Sequence, residues 1–153
     1  MTGQFSSWSE GPRGEVWACS ICLANLARVS QFTGKYAPAS TSWQESLELF
    51  VLLHDGVGIS RALCDICGLL VSVAERSGDL EYGRNALRLR AAAARQRESM
   101  GSSTAATDAL TEQEPAVRAL IGEAECTAAL EEGARLSQKE GVALAFADLK
   151  RIE

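Results

Sequence analysis

The sequence has few of the residues on which catalysis depends. It contains one histidine, His54, three prolines and few aromatic residues, which make up 6% of the chain. Since it also has no nucleophile elbow and no glycine-rich phosphate-binding loop, neither a Ser/His/Asp triad nor a histidine metal cluster can be assembled. His54 lies at a predicted helix end, where it is expected to bond a terminal carbonyl or water. The sequence therefore predicts a protein that is not an enzyme and needs no cofactor.

Excess positive charge and long apolar runs are also missing. Fifteen Lys and Arg against twenty Asp and Glu give a net charge of -5, so no bulk positive field attracts nucleic acid. The N-terminal residues do not form a secretory signal, and apolar stretches such as 66–73 are far shorter than the roughly 18 to 20 residues of a membrane span. Five cysteines without a leader fit a reducing compartment. We therefore expect a cytoplasmic protein that binds neither nucleic acid nor membrane.

Hydrophobic periodicity predicts helices throughout the chain and no strands. Glycines close the first and third helices, and a Ser/Thr/Ala-rich loop over 101–108 separates four N-terminal helices from three C-terminal ones. Capping boxes at Thr111–Glu114 and Ser137–Glu140 mark two of the C-terminal starts. The predicted helices cover about 15–33, 38–54, 57–77, 80–100, 111–121, 123–135 and 137–149.

The chain repeats itself weakly when it is shifted by 44 residues, which places Gly34 on Gly78 and Leu26 on Leu70. Small residues at helical spacing in the first copy are typical of a tetratricopeptide repeat, and the second copy is degenerate. The sequence thus predicts an all-α, tetratricopeptide-like array of helical hairpins with about seven helices. Its expected parts are a flexible arm (1–13), a helical domain (14–149) with hairpins at about 15–54 and 57–100 and a C-terminal cap at about 111–149, and a tail (150–153).

Several short helical segments keep one order over about residues 15–148. They are 47–50 with 54–55, 58–63, 74–79, 95–101, 120–125, and 132–137 followed by Glu140 and 143–145. Together they resemble the C-terminal tetratricopeptide-like region of bacterial transcriptional regulators of the LuxR, SARP-like and STAND ATPase types. The resemblance implies a sensory or interaction scaffold, because DNA binding in those proteins belongs to a separate domain.

In this register, the inner face of the two hairpins forms a groove for a protein or peptide. An uncapped N-terminal face would also allow a homodimer. Trp17 and Trp43 are expected in the core. The predicted groove residues are Asn25, Arg28 and Gln31 from the first hairpin and Ser72, Glu75 and Arg76 from the second.

Two C-x-x-C pairs, Cys19–Cys22 and Cys64–Cys67, are the sharpest local motifs. Four thiolates bind zinc tetrahedrally, so the alternative function is a small zinc-binding or redox-responsive helical protein. Zinc sites, however, bend the backbone beside each pair, and a redox C-x-x-C follows a strand, whereas both pairs lie in helical, apolar sequence. We therefore interpret the four cysteines as small core residues and expect no metal.

Five arginines make the fourth predicted helix locally basic. The sequence offers neighbouring glutamates but no interleaved aromatic residues, a pattern that predicts a solvated surface rather than a nucleic-acid interface. These residues are Arg84, Arg88, Arg90, Arg95 and Arg97.

Overall fold

Helices make up all of the secondary structure in the part of the chain that the computed structural model describes, which is residues 11–101 and 109–152. The all-α prediction and the expected number of helices are confirmed for these two ranges. In chain order the helices are α1 (Gly11–Phe32), α2 (Tyr36–Leu52), α3 (Gly56–Ser77), α4 (Leu80–Ser99), α5 (Ala109–Ile121), α6 (Glu123–Ala134) and α7 (Gln138–Ile152).

Helical structure extends further at both ends than the sequence predicts. α1 begins at Gly11, inside the predicted arm, and α7 continues to Ile152, beyond the predicted end of the domain. Outside the described residues lie the rest of the predicted arm (1–10), the predicted loop from 102 to 108, and the last residue of the predicted tail.

Most helix ends follow local signals in the sequence. Gly34 and Gly78 adopt the left-handed conformation after α1 and α3, with φ of +80° and +79°. Ser137 and Glu140 form the predicted capping box, because the Glu140 N–H donates to Ser137 Oγ at 3.1 Å and the Ser137 N–H donates to Glu140 Oε1 at 2.9 Å. Thr111 lies inside α5 rather than before it, so the other predicted box does not begin that helix.

The first hairpin packs through small residues on α1. Ser20, Ala24 and Ala27 are buried where α1 meets α2, and their size allows close approach of the two helices. The Ser46 hydroxyl donates to the Ser20 carbonyl oxygen at 2.7 Å across this contact. Trp43 on α2 is fully buried, as the sequence predicts.

α3 is the central helix of the core. Residues on nearly every side of it are buried, because α2, α4, α5 and α7 pack around it. By its length and composition alone, α3 could cross a membrane. The sequence predicts otherwise, because the apolar stretch 66–73 within this helix is too short for a membrane span. A buried core helix passes the same test, and 78% of this apolar window is buried inside the protein.

α7 folds back across both hairpins and contacts α2, α3 and α4. The Ser40 hydroxyl on α2 donates to the Leu149 carbonyl oxygen, and Ala145 and Leu149 are fully buried. In an open repeat array each unit contacts only its neighbours, whereas here α7 fills an apolar gap that the two hairpins share. The all-helical class is established, and stacking of the tetratricopeptide type stays a prediction.

Four of the five arginines of α4 contact the C-terminal helices. Arg88 Nη2 lies 3.0 Å from Glu132 Oε1 on α6, and Arg90 Nη1 lies 2.8 Å from Glu114 Oε1 on α5. Like Arg84, both have mostly buried side chains. The prediction of a solvated surface is therefore wrong for these three residues, because carboxylates that are distant in the sequence neutralise them.

Candidate functional site

A cleft of about 390 Å³ opens between α1 and the N-terminal half of α3, with α2 as its floor. Trp43 and Phe50 of α2 line the floor, Trp17 and Ile21 line the α1 side, and Val57 lines the α3 side. Pockets of a few hundred Å³ with mostly apolar walls are typical of binding sites. The cleft is therefore large enough for one or two apolar side chains of a ligand.

Gly58 shapes the floor of the cleft at the start of α3. A Cβ atom there would lie 2.5 Å from Phe50 Cδ1 and 2.5 Å from Asp55 Oδ2, so only glycine lets the Phe50 ring approach this turn. Asp55 caps α3 by accepting a hydrogen bond from the Gly58 N–H at 3.0 Å. Its carboxylate is thus engaged by the helix end.

The predicted groove residues of α1 form one polar network with α3. Arg28 Nη2 lies 2.7 Å from Asp65 Oδ2, and Arg28 Nη1 donates to Asn25 Oδ1 at 2.7 Å. Gln31 Nε2 donates to the Asp65 carbonyl oxygen at 3.2 Å, and Trp43 Nε1 donates to Gln31 Oε1 at 3.0 Å. The network joins α1, α2 and α3, with Asn25 and Arg28 lining the cleft.

The predicted groove residues of α3 do not line the cleft. Ser72 faces α5, because Gln113 Nε2 donates to its hydroxyl at 3.2 Å. Arg76 donates to the Gly34 carbonyl oxygen at 3.3 Å, and Glu75 is exposed on the same turn. The structure therefore brings the α1 half of the predicted groove together and separates it from the α3 half.

The α3 wall of the cleft consists of residues outside the predicted groove. Val57, Gly58, Arg61 and Ala62 line this wall, and Asp65, about one turn further along the same helical face, binds Arg28 of α1. Ser72 lies two turns beyond Asp65 on that face, where α5 covers it. Helical periodicity in the sequence identifies this face of α3, but it does not show that α5 covers the part of the face that contains Ser72.

Charge in the cleft is concentrated at Arg61. This side chain is exposed on the α3 wall and makes no ion pair with any described residue. Arg28 is neutralised by Asp65, and Asp55 is held by the start of α3. The arrangement therefore favours a ligand that combines an apolar side chain with a nearby carboxylate, since a guanidinium pairs strongly with that group.

Trp17 differs from the core position expected for it. Its side chain is only partly buried and lines the cleft, whereas Trp43 lies in the core as predicted. An indole at the rim of a cleft offers a large rigid contact area to a bound peptide. Trp17 therefore belongs to the candidate site.

The two C-x-x-C pairs are not brought together. Cys19 and Cys22 are exposed on α1, whereas Cys64 and Cys67 are buried in α3. The interpretation as core residues is confirmed for the second pair and wrong for the first. Within residues 11–101 and 109–152, no group of three or more His, Cys, Asp or Glu side chains is placed to hold a metal ion.

No protein-family model matches the chain, and no curated protein or solved structure shows significant similarity to it. These comparisons give no support to the resemblance to bacterial transcriptional regulators, which stays a prediction.

Proposed function

We propose that the chain is a non-enzymatic scaffold that binds a short segment of a protein or peptide in the cleft between α1 and α3. The observation that carries this proposal is the apolar, aromatic cleft with an exposed guanidinium, Arg61, on one wall. An apolar side chain of the ligand would pack against Trp17 and Phe50 while an acidic neighbour pairs with Arg61. The preferred ligand is therefore a segment with adjacent apolar and acidic residues.

The proposal includes a tetratricopeptide-like pairing of the hairpins α1–α2 and α3–α4. Each hairpin packs closely within itself, and α2 also packs against α3. The cleft lies between the first helices of the two hairpins, which is the kind of concave surface that helical repeats use for binding. A regulatory role in bacterial transcription rests on the sequence resemblance alone, and a cytoplasmic location rests on the cysteine content.

Peptides selected from a random display library against the full chain test this function. We expect the selected peptides to combine aromatic or aliphatic residues with Asp or Glu, and to shift the NMR signal of the Trp17 indole. Arg61→Glu should weaken their binding by about tenfold or more, as expected for a lost charge-assisted contact. Isothermal titration calorimetry with the synthesised peptides measures the change.

Arg135→Glu is the matched control, because Arg135 is exposed after α6 and lies outside the cleft. It makes the same change of charge and should leave affinity unchanged. Equal losses in both variants would show a general effect of net charge and contradict the proposal. Peptides that shift signals only outside the cleft would also overturn it, and circular dichroism checks that each variant is folded.

A further inference from the structure

α1 presents a second apolar face to solvent, opposite the face that packs on α2. We call it the outer face. Its apolar residues, Ala18, Cys22, Leu26, Val29 and Phe32, recur at helical spacing around the exposed Asn25, which accepts a hydrogen bond from Arg28. Leu26 is 55% exposed, Val29 61% and Phe32 95%. Neighbouring exposed apolar residues of this size are typical of an interaction surface.

The outer face changes in size along the helix. Its N-terminal half consists of the small residues Ala18 and Cys22, and its C-terminal half consists of Leu26, Val29 and Phe32. If a second α1 packs antiparallel, the large half of each copy lies on the small half of the other. A parallel pair would instead place Phe32 against Phe32 and leave a gap near the cysteines.

The charges around the outer face also differ between the two ends of the helix. From residue 15 to residue 35 the charged residues are Glu15, Arg28 and Lys35, and Arg28 is already paired with Asp65. Glu15 and Lys35 are exposed at opposite ends of α1. An antiparallel two-fold axis would place each Glu15 near Lys35 of the other copy, and the stretch between them carries no unpaired charge to bury.

We propose that the outer face of α1 is a self-association surface on which a second copy of the chain packs antiparallel. When two copies of the outer face pack antiparallel, small residues of one copy meet large residues of the other, and the acidic end of one meets the basic end of the other. The face is therefore complementary to itself, so the expected partner is another copy of the chain. This proposal does not depend on ligand binding in the cleft. One pair of helices buries less area than the roughly 1,200 Å² of a standard stable interface, so we expect a weak and reversible dimer.

Sedimentation velocity over a wide range of protein concentration, under reducing conditions, tests the proposal. The wild-type chain should shift from monomer to dimer as concentration rises. Val29→Glu should raise the dissociation constant by about tenfold or more, because it places a charge in the contact. Leu52→Glu is the matched control, since Leu52 is 65% exposed on α2 and lies outside the outer face, and it should dimerise as the wild type does.

Charge reversal tests the orientation. Glu15→Lys and Lys35→Glu should each weaken the dimer, and the double variant should restore it, because the pairs then re-form with opposite signs. Single reversals without effect would overturn the antiparallel arrangement. A wild-type chain that stays monomeric would overturn self-association. Equal effects of Val29→Glu and Leu52→Glu would also contradict the proposal.

Discussion

His54 has a backbone conformation that glycine adopts elsewhere in the chain. It follows α2 with a φ of +54°. Its N–H donates to the Val51 carbonyl oxygen, and the Asp55 N–H donates to the Phe50 carbonyl oxygen, both at 3.0 Å. This is the hydrogen-bond pattern that ends a helix at a left-handed residue. The conformation of this histidine is therefore explained by its place in the backbone; the residue is exposed and does not line the cleft.

His54→Gly should stabilise the protein by about 1 kcal/mol, because glycine adopts positive φ without the steric cost of a Cβ atom. Urea denaturation measures the free energy of unfolding. Glu48→Gly is the control, since Glu48 is exposed inside α2, and that variant should destabilise the protein by about 1 kcal/mol. A loss of stability in both variants would contradict this account of His54.

α6 crosses α4 at very short range beside Gly133. A Cβ atom on Gly133 would lie 2.6 Å from Arg88 Cα and 2.7 Å from the Arg88 carbonyl carbon. Backbone atoms cannot move aside as a flexible side chain can. At Gly83 on α4, by contrast, a Cβ atom would lie 3.6 Å from Ile121 Cγ2, which is an ordinary contact.

These two glycines should respond to alanine in opposite ways. Gly133→Ala should destabilise the protein by about 3 kcal/mol, because α6 must move away from α4. Gly83→Ala should stabilise it by about 0.5 to 1 kcal/mol, since glycine inside a helix costs conformational entropy. Thermal and urea denaturation measure both changes, and a Gly133→Ala variant as stable as the wild type would show that the helices are not held this closely.

Local signals predict the helices well, and contacts between helices distant in the sequence limit the rest. Gly34 and the Ser137–Glu140 box set helix ends through bonds between near neighbours. The Arg88–Glu132 pair joins residues that are 44 positions apart, so the sequence alone predicts an Arg88 side chain in solvent. The candidate site shows the same division. The repeat register selects the α1 residues correctly, but Ser72 is misplaced because the sequence predicts the α5 helix without showing that it packs over Ser72.

A buried carboxyl group ties the end of the chain to the second hairpin. Asp148 on α7 is 2% exposed and accepts a hydrogen bond from Asn85 Nδ2 on α4 at 2.8 Å. Arg151 donates to its other oxygen at 3.3 Å. Burial raises the pKa of the Asp148 carboxyl above its ordinary value of 3.8, although Asn85 and Arg151 act in the opposite direction.

This shift gives Asp148 an unusual effect on stability. The folded state binds the Asp148 proton more tightly than the unfolded state does. The resulting stabilisation of the folded state is therefore fully present below pH 3.8, and it is lost as pH rises through the raised pKa of Asp148 in the folded protein. The stability of the wild type relative to Asp148→Asn should therefore fall with rising pH in that window. Urea denaturation at a series of pH values measures it, and a difference that does not vary with pH would contradict the assignment.

Glu140 provides an internal contrast. Its hydrogen bonds with Ser137 lower the pKa of its carboxyl, so its contribution is present above the ordinary pKa and is lost as pH falls. The stability of the wild type relative to Glu140→Gln should change with pH in the opposite direction to that of the Asp148 comparison. Parallel trends in the two series would mean that one of the two shifts has the wrong sign.

The central position of α3 has a consequence for synthesis of the protein. α5 and α7 cover much of this helix, and both are translated after it. While the ribosome is still making the C-terminal helices, the nascent chain displays the apolar side of α3 to water. Such transiently exposed surface promotes aggregation and attracts chaperones. We therefore expect the packing around α3 to be completed only when α7 has left the ribosomal tunnel.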